Sequence, residues 1–216
     1  MAVLVILAIL LIDQVIKIWV KTSMTLHESI HMTDWFYITF IENNGMAFGM
    51  QLGSKIVLSL FRVAAIALLG YYIWHLVRQH AKTGYIICLS MVLAGAAGNL
   101  IDCMFYGLVF NASSPFYLSY FVPFGTGYAP FLMGKVVDMF YFPLFETDWP
   151  SWVPFVGGDH FVFFSPVFNF ADSCISVSVV WLLLFYHQEI SKISLTQVAD
   201  QKDQKPESPN EGKQEE

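Results

Sequence analysis

Charge is scarce in this chain. Of its 216 residues only 13% are Asp, Glu, Lys or Arg, roughly half the share of an ordinary soluble domain. A water-soluble globule of this size could not hide so apolar a composition, so a typical cytosolic enzyme and a disordered protein are both excluded. Positive charge is scarcer still. Lys and Arg number 11 against 17 Asp and Glu, for a net charge of −6, and no basic patch occurs, which excludes a nucleic-acid binder. Cysteine is limited to Cys88, Cys103 and Cys174. They are irregularly spaced in or beside apolar runs and form no C-x-x-C, so they read as small buried hydrophobes rather than as disulfides or metal ligands. No H-E-x-x-H or similar ligand spacing is present, and no Gly-rich phosphate loop. His27, His31, His75, His160 and His187 lack the motif context of a nucleophilic triad and read as loop or interface residues. The expectation is a chain without metal or cofactor.

What the chain has in abundance is apolar and aromatic surface, 56% and 17% of residues. A run of about 20 apolar residues is enough to cross a bilayer, and four runs qualify, over about 1–21, 54–77, 83–101 and 166–187, the last with Pro166 placed at its first turn. The first run has neither a basic leader nor a small-x-small cleavage site, so it is expected to be retained as a helix. The fold class is thus mainly α: an integral membrane four-helix bundle. Between the spans lie outer segments 22–53 and 102–165. In the first, Trp35–Phe40 is rich in aromatic and β-branched residues and predicts a strand, with Asn44-Gly45 as a turn. The second is broken by six prolines and is too irregular to be a span. It is expected to lie as an extended outer loop at the membrane surface, where Trp and Tyr are favoured. Residues 1–190 form the membrane-embedded domain, and 191–216 a polar, disordered tail. Arg78 and Lys82 in the turn between helices two and three, and the lysines after helix four, place both termini in the cytoplasm; Lys21, Lys55 and Lys135 vote the other way.

With that orientation the polar residues within the spans fall in one leaflet: Asp13 and Lys17 late in helix one, Asn99 and Asp102 at the end of helix three, Asn169 and Asp172 at the start of helix four. Each pair is spaced i,i+3 or i,i+4 and shares a helix face. An ionisable group near the bilayer centre costs about 2.5–3.5 kcal/mol or more, so one polar site at the outer face is the simplest reading. Gly95 and Gly98, amid Ala94, Ala96 and Ala97, read as a close-packing stripe. Carboxylates are the remaining chemistry. Asp138, in the apolar run Val136–Phe140, and Asp172 could form a pair sharing one proton, one member activating water and the other polarising a carbonyl. Two other readings remain open on spacing alone: a structural ion pair of Asp172 with Lys17 or Arg62, and a proton path of a proton-coupled transport component. A non-catalytic assembly protein is a third class.

Five segments in order resemble the lipoprotein signal peptidase (signal peptidase II) family. They are Asp13-Gln14-x-x-Lys17, Glu42-Asn43-Asn44-Gly45-Met46-Ala47-Phe48-Gly49, the stretch Ala94 to Asp102 (A-G-A-A-G-N-L-I-D), Val136-Val137-Asp138, and Phe168-Asn169-x-Ala171-Asp172. The resemblance implies a bacterial inner-membrane aspartyl endopeptidase that removes the signal peptide from diacylglyceryl-modified prolipoproteins, cutting before the lipidated cysteine. It implies Asp138 and Asp172 as the catalytic dyad, with Asn169, Asn99 and Asp102 shaping the site and Asp13, Lys17 and Asn43 supporting it or holding substrate. It also implies a small extracytoplasmic β-cradle around Trp35–Phe40, no metal or cofactor, and inhibition by globomycin-type peptides; the chain is taken as a monomer. Two departures stand out. Where the family usually has Arg after I-D, this chain has Cys103, for which Arg62 or Lys135 is a candidate substitute. Gly107-Leu108-Val109-Phe110-Asn111 resembles the G-x-V-x-D motif with Asn for Asp, and an insertion of roughly 25 residues precedes Gly134-Lys135-Val136-Val137-Asp138. The catalytic role falls to Asp138 because Asn111 cannot titrate.

Overall fold

The structure, a computed structural model, describes residues 1–44 and 55–191. The Gly45 half of the expected turn, the Met46–Gly49 part of the second motif and the tail from 192 lie outside the described residues. Helix α1 (Ala2–Ser23) has 22 residues, about 33 Å at the α-helical rise and enough for a bilayer core. It ends where Met24 turns to extended backbone. Helices α2 (Lys55–Arg78) and α3 (Thr83–Ile101) follow, joined by the short polar turn the sequence predicts. Among the described residues, three helices are long and apolar enough to cross a membrane, with α3 counted through its continuation to Val109.

Helix α3 is the hub and packs against α1, α2 and α5. Its small-residue stripe makes this possible. A methyl group added at Gly95 would lie 2.5 Å from the Ala171 carbonyl oxygen, and one at Gly98 would lie 2.6 Å from Asp13 Oδ2. Helix α2 packs mainly against α3 and turns Phe61 and Leu68 outward at 70% exposure each, as a helix face meant for lipid would. Cys88, Cys103 and Cys174 are buried and unbridged, as expected.

The end of the bundle beside the sheet departs from the expected boundaries. The helix does not stop at Ile101. It widens into a π-helical turn, Asp102–Tyr106, and a last turn α4 (Gly107–Val109). Strands β1 (Ser29–Thr33) and β2 (Phe36–Asn43) form a hairpin around Asp34 and Trp35, so Trp35 sits in the turn and the strand extends to Asn43. Strand β3 (Val136–Tyr141) pairs antiparallel with β2, giving a three-stranded sheet with β2 in the centre. A separate hairpin, β4 (Phe145–Asp148) with β5 (His160–Phe163), occupies part of what the sequence reads as loop.

Helix α5 (Phe170–Phe185) starts four residues later than predicted and has 16 residues. Pro166 lies before it, not in its first turn. Residues leading into α5 are held extended because Phe168 pairs with Phe140 of β3, exchanging backbone bonds of 2.7 and 3.0 Å. Asn169 is therefore the helix cap rather than a member of the helix. Its side chain accepts from Asp172 N and the Asp172 carboxylate accepts from Asn169 N, a reciprocal capping box. Below the sheet, Val20, Met24, Phe40, Tyr106, Phe110, Val137 and Met139 form one core.

Candidate active site

Every residue singled out as a site candidate comes to the same end of the bundle. Lys17, fully buried, uses all three ammonium protons. It meets Asp13 Oδ2 at 3.0 Å, Asp102 Oδ2 at 2.8 Å and Asn99 Oδ1 at 2.7 Å. The i,i+4 spacing on α1 sets the first contact; the approach of α1 to Gly98 allows the other two. Asp13 Oδ1 accepts from Ala171 N at 3.0 Å and so ties α1 to the first turn of α5. Asp102 Oδ2 also accepts from Val137 N at 3.3 Å, tying the start of the π-turn to β3.

From Lys17 the network passes through two asparagines to two carboxyls. Asn99 donates Nδ2 to Asp172 Oδ1 at 2.8 Å. Asn169 donates Nδ2 to Asn99 Oδ1 at 3.0 Å and to Asp138 Oδ1 at 2.6 Å. Asn43, from the end of β2, donates to the other Asp138 oxygen. Asp138 and Asp172 thus sit on either side of one asparagine pair. Burial, with the neighbouring Asp172 charge second, pushes the Asp138 carboxyl up to about 8; Asn169 and Lys17 pull the other way but lose. Among the described residues no buried side-chain nitrogen or oxygen lacks a hydrogen-bond partner.

The structural ion pair weighed for Asp172 is not formed with Lys17, whose carboxylate partners are Asp13 and Asp102. Arg62 reaches Cys103, with Nη1 3.6 Å from Sγ, whereas Lys135 turns to Glu42 Oε2 at 3.4 Å. Of the two candidates, Arg62 is the one beside Cys103. Asn111 ties together the two ends of a loop, its side chain accepting from Tyr120 N at 2.7 Å.

Sequence reasoning missed several members of this end. Gln14 bridges Asp102 Oδ1 at 2.9 Å and the Gly98 carbonyl at 3.3 Å while accepting from Tyr106. Its neighbour Asp13 was the available signal. Lys21 stands one turn beyond Lys17 and pairs with Glu42; the same i,i+4 argument that linked Asp13 to Lys17 extends to it. Ser113, which joins Lys21 and Glu42, comes from the insertion and has no local signature. A cavity of about 550 Å³, bordered by Met1, Ile6, Ile73, Val77, His80 and Ile86, opens at the opposite end of the helices, remote from this network.

What this arrangement can do is set by its two carboxyls. Burial pushes Asp138 toward its neutral, proton-donating form, and Asp172 accepts a hydrogen bond from the Asn99 amide. That is the requirement for general acid–base hydrolysis.

Comparison with known proteins gives the same direction. Residues 5–188 match the family described as signal peptidase (SPase) II. A lipoprotein signal peptidase of Porphyromonas gingivalis is 51% identical over 187 residues, covering 86% of this chain and 82% of that protein. One from Amoebophilus asiaticus is 34% identical over 200 residues, covering 88% and 80%. Among solved structures, a bacterial membrane enzyme determined by the in meso method at 2.3 Å resolution superposes with a TM-score of 0.56 at 21% identity, covering 97% of this chain and 94% of that one.

Proposed function

The chain belongs to the signal peptidase II family, and from that premise we propose that it is an aspartic endopeptidase acting at the outer boundary of a bacterial inner membrane. Its substrates are prolipoproteins that already carry diacylglycerol on the cysteine following the signal peptide, and it cuts the bond before that cysteine. The observation that carries this reading is the placing of Asp138 and Asp172 around the Asn99–Asn169 pair, with Asp138 inclined to stay protonated.

The reaction follows from those protonation states. Asp172 takes a proton from a water molecule as its oxygen adds to the scissile carbonyl carbon. Asp138 gives its proton to the carbonyl oxygen, so no free oxyanion builds up in a low-dielectric site. The tetrahedral diol then collapses. Asp138 recovers a proton from one hydroxyl, and Asp172 delivers its own to the leaving nitrogen of the lipidated cysteine as the C–N bond breaks. Asn169 and Asn99 hold both carboxyls in place through the cycle. Asp13, Lys17 and Asp102 fix α1, α3, α5 and β3 relative to one another. No metal or cofactor takes part.

Helix α5 is the fourth span in this reading. Its 16 residues cover about 24 Å, and the extended residues before it reach the outer surface. Residues 1–190 make up the peptidase, both termini are cytoplasmic, and the chain works as a monomer. Globomycin-type peptides are expected to occupy the same cleft as substrate.

The test is cleavage by purified protein of a lipidated and an unlipidated prolipoprotein, for wild type, Asp138→Asn and Asp172→Asn. The lipidated precursor is cut and the unlipidated one spared. Each variant loses about 10²–10⁴-fold in rate while keeping the wild-type thermal unfolding profile. Full activity in Asp138→Asn beside a dead Asp172→Asn overturns the dyad assignment; cleavage of both precursors alike overturns the substrate class.

A further inference from the structure

The network around Asp138 uses one face of β2. Asp138 stands opposite Ile41 in the β2–β3 register, so Asn43, two residues along, shares its face and reaches it diagonally. Glu42 points to the other face, and there it meets a second buried cluster. Lys21 of α1 pairs with Glu42 and donates to Ser113 Oγ at 2.7 Å. Its ammonium lies 5.2 Å from the ring centres of Phe110 and Tyr128 and 5.9 Å from that of Phe40. Ser113 Oγ donates to Glu42 Oε1 at 2.7 Å and, its only proton engaged, accepts from Ser119 at 2.9 Å. The Lys21 and Glu42 side chains are 0% and 2% exposed. Burial alone would raise the Glu42 carboxyl, but Lys21, Ser113 and Lys135 outweigh it and hold the group below its ordinary value.

A buried ion pair is costly to build and is best explained by what it specifies. Here the neighbouring geometry supplies the reason. The β2–β3 register is irregular between Ile38 and Ile41, immediately before the residues that face Asp138. A slip of one residue turns every side chain to the opposite face. In this strand it would withdraw Asn43 from Asp138 and put the Glu42 carboxylate beside it.

We propose that Lys21, Glu42 and Ser113 form a register lock: positioning residues, out of reach of substrate, that hold β2 so that Asn43 donates to Asp138. The lock rests on the reading of Asp138 as catalytic. It also gives the inserted segment a role, because Ser113 and Tyr128 both belong to it, and it is pinned to the end of the bundle by Val122 N to Val109 O at 2.8 Å and Ala129 N to Gly107 O at 2.9 Å.

Five groups face Asp138: Asp172 from α5, Asn169 at its cap, Lys17 from α1, Asp102 from the π-turn and Asn43 from β2. Opening the lock withdraws Asn43 alone. A hydrogen bond to the charged form lowers a carboxyl's pKa, so its loss moves Asp138 upward. The experiment combines Lys21→Met with Glu42→Leu, which removes both charges together and leaves none buried unpaired. On lipidated precursor, kcat falls about tenfold with KM within about twofold, and the alkaline limb of the pH–rate profile moves to higher pH by about 0.5 unit. Adding Asn43→Ala to that variant changes little further, because both act on one contact. If the double variant is not recovered folded, Ser113→Ala decides; it shows the same two changes, with kcat reduced about threefold. An alkaline limb that stays in place, or an Asn43→Ala effect that simply adds, overturns the lock. Asp138→Asn assayed in parallel separates the two ideas: retained activity there overturns the dyad reading, whereas lost activity there with an unmoved limb in the lock variants overturns the lock alone.

Discussion

Asp138 is asked to hold a proton at pH 7 in a place where two amides and a buried lysine favour its charged form. Burial and the Asp172 charge win, and the carboxyl is raised from 3.8 to about 8. Because the folded chain binds this proton more tightly than the unfolded chain does, the group's contribution to stability is complete below about pH 4. It declines as pH rises and is lost once pH passes about 8. Activity should follow the same proton. The kcat/KM profile on lipidated precursor is expected to fall on its alkaline side with an apparent pKa near 8, a property of the coupled pair rather than of Asp138 alone. A profile flat through that range would mean that the acid of the reaction is another group. The helical residues of this site were readable because periodicity gathers them, whereas Asn43 and the pairing of Asp138 with Asp172 came from the family resemblance. Asp13 with Lys17 and Asn99 with Asp102 share faces on their helices, and their burial in an apolar chain demands partners. Asn169 with Asp172 was read as a third such pair and is a capping box instead. Glu42 and Ser113 were not readable as partners, since 71 residues separate them and neither carries a local sign of the other.

Helix packing depends on where side chains are missing. Three glycines on apolar helices meet different surroundings, and the same substitution should act differently at each. Gly70 has nothing within 4 Å of an added methyl group, so Gly70→Ala is expected to be neutral or stabilising by up to about 1 kcal/mol. At Gly95 the methyl group meets the Ala171 carbonyl oxygen at 2.5 Å, a backbone atom that cannot swing aside, and Gly95→Ala should destabilise by about 1–3 kcal/mol. At Gly98 it meets Asp13 Oδ2 at 2.6 Å. That carboxylate can move only by leaving Lys17, so Gly98→Ala should lose more activity than its stability loss explains. Thermal unfolding in detergent and cleavage rates on the same preparations check all three; identical unfolding temperatures would show that α3 is not packed as closely as described. The first two helices and the start of the third were legible to within two residues because length and apolarity decide them. The start of α5 was not. Its N-terminus is set by the Phe140–Phe168 pairing across the sheet, which outweighs the local preference of Pro166 for a first turn. The π-turn at Asp102–Tyr106 has no sequence signature, yet it carries the helix on past Asp102, whose carboxylate meets Lys17 and the backbone of β3.

At the scale of the molecule the polar groups divide sharply. The ionisable network occupies the end of the bundle beside the sheet. Along the rest of the helices, the buried hydroxyls of Ser90 and Ser178 are bonded to their own helix backbones at 2.7 and 2.6 Å. The turn between α2 and α3 lies at the other end of the helices. The same asymmetry fixes what a topology experiment should find. Gln79, in that turn, and Trp152, beyond β4, are both exposed and lie at opposite ends of the chain's path through the membrane. Gln79→Cys and Trp152→Cys, each introduced singly, should react differently with a membrane-impermeant maleimide in spheroplasts. Trp152→Cys is labelled at once, and Gln79→Cys only after the membrane is opened. The native cysteines are buried and should add little background. The reverse pattern would put Asp138 and Asp172 on the cytoplasmic side, where a peptidase that acts on already lipidated, exported precursors could not meet its substrate.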